Sequence, residues 1–121
     1  MEGNYTLMSE SFDGYQELAR KTAVYGEGNP FILRLAYCGL GLNGEAGEVA
    51  EKIKKLIRNY HGELNEERKS EMVKELGDVL WYISALATEL NVKLSAIAEL
   101  NLAKLADRQK RNVIAGEGDN R

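Results

Sequence analysis

Apolar positions recur along this chain at three- and four-residue intervals and never in a sustained alternation, so helices account for its ordered part. Phe12, Tyr15, Leu18, Ala19, Thr22 and Ala23 share one stripe and predict a first helix of about three turns. Gly26-Glu27-Gly28 ends it, and Asn29-Pro30 reads as an N-cap followed by proline at the first helical position. A long second helical region runs to about Arg58, with a candidate interruption at Gly39-Leu40-Gly41. Tyr60 to Leu64 reads as a turn, and Asn65 as the cap of a third helix from Glu66 to about Leu90. Asn91-Val92 breaks the pattern before a fourth helix that ends near Lys110. The expectation is an all-α, four-helix bundle-like fold in one domain over residues 1–121, with a flexible N-terminus over 1–10 and an irregular tail over 112–121.

Polar residues add chemistry to this frame. Glu45-x-x-Glu48 lies on the second helix and Glu75-x-x-Asp78 on the third, and residues three apart share a helix face. The short turn predicts an antiparallel pair. Glu45 and Asp78 are equidistant from a midpoint between His61 and Gly62, and so are Glu48 and Glu75, so each couple sits at one height. At about 100° per residue, both acid pairs lie roughly a quarter turn to the same side of their apolar stripes (Leu42, Ala46, Val49, Ile53, Leu56; Met72, Leu76, Val79, Leu80, Ile83). Reversing one helix brings both acid faces into one space. Four carboxylates crowded there repel unless cations are present. Hard oxygen donors without histidine or cysteine suit Mg²⁺, or Mn²⁺, rather than zinc or copper. A di-iron bundle would need Glu-x-x-His on two helices, and none occurs.

Composition narrows the classes of function. Of 121 residues, 44% are hydrophobic and 29% charged, enough for a globular core. The net charge of -3 argues against binding to nucleic acid or to a membrane through a basic surface. The longest uncharged runs, Leu35 to Gly44 and Val79 to Thr88, are about half the length that spans a bilayer. The N-terminus shows no apolar signal core, so the expected location is cytoplasmic. One cysteine, Cys38, and one histidine, His61, leave no intramolecular disulfide and little zinc chemistry. Gly39 to Gly44 fits G-x-G-x-x-G, a pattern that carries meaning only between strand and helix, and no second strand is predicted.

Two further groups have competing readings. Asn101, Lys104 and Arg108 continue the face of the fourth helix that carries Leu94, Ile97 and Leu105. Such cations suit a bound phosphate, or their stems snorkel to the surface at the helix end. Trp81 and Tyr82 stand outside the main stripe of a helix that is apolar nearly all round in its second half. A subunit interface or a base-binding pocket would cover them.

The segments Gly44-Glu45-Ala46-Gly47-Glu48-Val49-Ala50-Glu51-Lys52 and Lys74-Glu75-Leu76-Gly77-Asp78-Val79-Leu80-Trp81-Tyr82 resemble the MazG-like all-α nucleoside triphosphate pyrophosphohydrolases, whose signature is E-x-x-E followed by E-x-x-D. Asn101 to Leu105 with Arg108 is similar to the family's downstream substrate motif, and Gly116 to Arg121 to the tail of its short phage and bacterial members. The resemblance implies Mg²⁺-dependent hydrolysis of (d)NTP to (d)NMP and pyrophosphate, in a homodimer or homotetramer. Glu45, Glu48, Glu75 and Asp78 would then be catalytic metal ligands, and Asn101, Lys104 and Arg108 would bind substrate, with Trp81 and Tyr82 as weaker transfers. Two rival readings are a narrow dCTP or dUTP pyrophosphatase on the same fold and a non-catalytic helical partner protein.

Overall fold

A computed structural model describes residues 11–121; the flexible N-terminus expected over residues 1–10 lies outside the described residues. Four helices and no strand occur among them: α1 (Phe12–Arg20), α2 (Phe31–Tyr60), α3 (Glu66–Glu89) and α4 (Leu94–Lys110). None is long and apolar enough to cross a membrane.

Each boundary has a local cause. Ser11 caps α1, its Oγ accepting from Gly14 N at 2.9 Å. The start of α2 corrects the sequence expectation, because Pro30 itself is the N-cap and no side chain caps the helix. Asn29 instead closes the preceding loop: its Nδ2 donates to Tyr25 O at 2.8 Å, and its carbonyl accepts from Arg34 at 2.7 Å. The expected interruption at Gly39-Leu40-Gly41 is also absent, since α2 runs unbroken for 30 residues. Roughly 1 kcal/mol per glycine is a small cost inside a helix paired along much of its length.

The hairpin turns on His61 (φ 53°) and Gly62 (φ 79°), two successive left-handed residues, with Gly62 N donating to Leu56 O at 3.0 Å. Asn65 caps α3 as expected, its Oδ1 accepting from Arg68 N at 2.8 Å. The Arg68 guanidinium lies 3.5 Å over the Tyr60 ring and donates to Glu63 O, tying the two helix ends together.

From this turn the two helices zip in a single register. Arg34 with Glu89, Gly41 with Tyr82, Glu45 with Asp78 and Lys52 with Glu71 are each in cross-helix contact or close approach. Every couple is symmetric about the midpoint between His61 and Gly62.

Among the described helices, α3 packs against all three others, whereas α2 packs on α3 alone. Apart from Leu94 and Arg108, the buried residues are small, with Cys38 and Ser84 the largest that are fully enclosed. Ala19, Ala85, Ala87 and Leu94 complete the apolar part of the core, close to where α1, α3 and α4 meet. Large apolar side chains stay on the surface of the hairpin: Leu40 is 76% and Ile57 67% exposed, with Ile32, Ile53, Val73 and Leu76 also open.

The N-terminus of α4 is capped from another helix. Lys93, its N-cap, offers no side-chain bond. Asp13 of α1 instead accepts from Ser95 N at 3.0 Å and Ser95 Oγ at 2.8 Å. Gln16 accepts from Leu94 N at 2.8 Å while donating to Val92 O and Thr88 Oγ1. These bonds, with the nearby Lys93 charge, hold the Asp13 carboxyl below its ordinary 3.8. A lowered carboxyl value stabilises the fold above 3.8, and that stability is lost as pH falls through the folded value. Asp13→Ala is therefore expected to melt below wild type at neutral pH, with the gap narrowing in acid below pH 3.8. Thermal melts across pH 2–7 check this; a gap that stays constant in acid would mean that the charge of Asp13 is not what stabilises α4.

Candidate functional site

Glu45 from α2 and Glu75 and Asp78 from α3 each direct a carboxylate oxygen to within 4.8 Å of the other two. The hairpin register causes this convergence. Glu45 and Asp78 face each other at one height, and Glu75 lies one turn from Asp78 on the same face. Glu48, expected with them, is exposed and lies outside the triad. It lines a neighbouring recess of about 320 Å³ with Glu51, Lys52 and Lys55, though its charge still acts on Glu45. Partial burial, the Asp78 charge and a hydrogen bond to Glu75 together push the Glu45 carboxyl above its ordinary 4.5.

Aromatic residues flank the triad. Trp81 and Tyr82 line a recess of about 280 Å³ with Glu45 and Asp78. Tyr82 is seated on α2 at Gly41, where a Cβ would run into its ring. A side chain at Gly41 would therefore move the recess wall. Tyr82 packs edge-on to Trp81 with centroids 5.0 Å apart, and Tyr37 lies 6.3 Å from Tyr82. Tyr25 stacks on Tyr37 at 5.0 Å and meets Trp81 edge-on. Trp81 Nε1 donates to Thr22 Oγ1 at 2.9 Å, so one face of this residue anchors the end of α1 while another borders the recess. Behind the cluster, Tyr25 donates to Glu89 at 3.0 Å, and Glu89 also pairs with Arg34 at 2.8 Å beside the enclosed Cys38. That network fixes the loop carrying Tyr25.

The expected substrate residues of α4 have a different setting. Asn101 is exposed. Lys104 Nζ and Arg108 meet the same oxygen of Asp119, at 3.0 and 3.1 Å. Both bonds hold the Asp119 carboxyl below the usual carboxylate range. The anion beside these cations thus comes from the chain's own tail, a residue that the expectation of an irregular segment passes over.

Sequence reading also passes over Tyr15, Tyr37 and Lys52. Burial and the Asp78 charge raise the Tyr15 phenol, which places it near the triad. Lys52 pairs with Glu71 and Glu75, both at 3.9 Å. The symmetric couple Lys52 and Glu71 was available from the same midpoint arithmetic that aligns the acids.

Residues 37–113 match the MazG nucleotide pyrophosphohydrolase domain, more than half of the chain and the whole of the triad. The chain belongs to the MazG family. The Gene 37 protein of Mycobacterium phage L5 is 47% identical over 111 residues, covering 90% of this chain and 97% of that protein. No solved structure matches. MazG proteins generally depend on a divalent metal, and the three hard carboxylate donors fit that requirement. The sole histidine, His61, stands at the exposed hairpin tip, and Cys38 is enclosed behind the aromatic cluster.

The acidic triad has a measurable consequence without metal. Glu45 keeps its proton to higher pH when folded than when unfolded, so chelated protein loses stability as pH rises from 4.5 through the folded value. Glu45→Gln removes this loss. In melts with chelator present it is expected to exceed wild type at neutral pH and to converge with it below pH 4.5. A lower melting temperature for the variant at neutral pH would contradict repulsion within the triad.

Proposed function

We propose that this chain is a Mg²⁺-dependent pyrophosphohydrolase that converts (d)NTP to (d)NMP and pyrophosphate and acts as a nucleotide-pool housekeeper in the cytoplasm. The carrying observation is the convergence of Glu45, Glu75 and Asp78 beside an aromatic recess, within the segment that matches the family. Those three residues would hold the cation, with Glu48 one turn away to complete the set on rotation of its side chain. Bound Mg²⁺ supplies charge neutralisation and a more acidic water.

The chain's own residues do the rest. Trp81 and Tyr82 present ring faces and edges to the nucleoside, which aromatic surfaces accept with little dependence on sequence of substituents. Lys104 presents an ammonium to the phosphates and favours the charge that grows on the leaving pyrophosphate. Arg108 backs it, and Asn101 on the preceding turn is free to donate to the substrate. A panel of (d)NTPs, assayed for pyrophosphate against orthophosphate with and without Mg²⁺, is expected to give pyrophosphate only when the metal is present. Orthophosphate as the first product, or turnover unaffected by chelation, would refute the proposal.

The active form is a homodimer or homotetramer. The support is the small enclosed core together with the open apolar residues on α2 and α3, which a second copy would cover. Light scattering at micromolar concentration is expected to report at least the mass of a dimer. A stable, well-folded monomer would overturn this assignment.

A further inference from the structure

The last residues of the chain form a built structure. Asn112 (φ 59°) ends α4 in the left-handed region, with Val113 N donating back to Arg108 O at 2.9 Å. Arg121 then reaches back under the tail: its guanidinium donates to the carbonyls of Val113 and Ile114, both at 2.9 Å, and to that of Gly118. Gly118 (φ 80°) supplies the turn, and a Cβ at Gly116 would strike the Arg121 side chain. The loop closed in this way presents one carboxylate, Asp119, to α4.

Arg108 is only 5% exposed, and its Nε has no partner. A guanidinium so enclosed needs an anion, which the Asp119 carboxylate provides, and the backbone carbonyl of Asp119 accepts a further hydrogen bond. The same carboxylate oxygen holds Lys104 Nζ, whose side chain remains 40% exposed. Two cations share one carboxylate and leave a net positive charge, and of the two Lys104 is the member that solvent and a ligand can reach. Although the Asp119 side chain is 82% exposed, its anchoring by the enclosed Arg108 lets it bias the flexible lysine head toward one position before any ligand arrives.

We infer that Asp119 is a positioning residue, and that the folded tail exists to hold the Lys104 ammonium in place for a substrate phosphate. This rests on the proposed phosphate contact of Lys104. Arg108, in this arrangement, acts by holding Asp119 rather than by touching the ligand.

The test is a double-mutant cycle on the full chain with D119N, K104A and the double variant, measuring kcat and KM for pyrophosphate release. In parallel, acylation of Lys104 by an amine reagent is followed by peptide mass spectrometry. D119N is expected to lower kcat by about tenfold with a smaller change in KM, since misplacing a group that acts on the transition state affects kcat. It should also raise the acylation rate of Lys104 and add nothing on top of K104A. If D119N melts below the assay temperature, D119E takes its place: it keeps the charge beside Arg108 but moves the carboxylate, and a positioning role still lowers kcat. An increase in kcat/KM would overturn the inference by showing that the tail competes with substrate. Equal losses from D119N in the wild-type and K104A backgrounds would overturn it by showing that Asp119 acts elsewhere. Wild-type kinetics for D119N alongside an inactive K104A would remove the positioning role alone. Wild-type kinetics for K104A would instead remove the phosphate contact of Lys104, and the inference with it.

Discussion

The register between α2 and α3 is the constraint on which the other features depend. Two left-handed residues at the hairpin tip place its midpoint, and each cross-helix couple then follows by symmetry, from Lys52 with Glu71 near the turn to Arg34 with Glu89 far from it. Adding one residue to the turn would rotate one acid face by about 100° against the other and separate Glu45 from Asp78. It would also bring a side chain instead of Gly41 under the Tyr82 ring. Neither helix contains the site. It exists only in their alignment.

Packing around this hairpin is uneven, and the site lies where the packing changes. Toward Glu89, α3 is covered by α1, the Tyr25 loop and the start of α2, with alanines, Ser84 and Cys38 allowing close approach. Toward the hairpin tip, Ile53, Ile57, Val73 and Leu76 are only partly covered by the described residues of the chain. The aromatic cluster Tyr25, Tyr37, Trp81 and Tyr82 stands between these regions and supports the recess beside Glu45 and Asp78. The Tyr25 hydroxyl is tied to Glu89 and the Trp81 indole N–H to Thr22, which limits the rotation of these two rings without a large apolar core.

Helical periodicity and a midpoint were enough to read the hairpin and to align Glu45, Glu75 and Asp78, because helix geometry is regular and the turn is short. The same regularity could not place Glu48. It lies at the height of Glu75, but it is exposed and outside the triad, and height alone does not place the end of a side chain. The expected break at Gly39-Leu40-Gly41 failed because propensity is weak against pairing with a neighbouring helix. Asn29 looked like a cap by residue type, yet its amide found a nearer partner in the Tyr25 carbonyl. Asp119 was illegible for a different reason. Its contact depends on a loop with no period, closed by an arginine bonding to backbone carbonyls.

The capping of α4 by Asp13 and Gln16 bears on how the parts of the chain depend on one another. These bonds join residues about 80 positions apart, so they enclose the entire α2–α3 hairpin in one loop. The α2–α3 pair, by contrast, is closed by its own short turn. α4 has no side-chain cap within its own sequence and takes its N-terminal partners from α1. Closing so long a loop costs little more entropy than closing one half its length. The three acids are thus brought together by contacts internal to the hairpin, whereas the placement of Lys104 and the tail depends on bonds that span it.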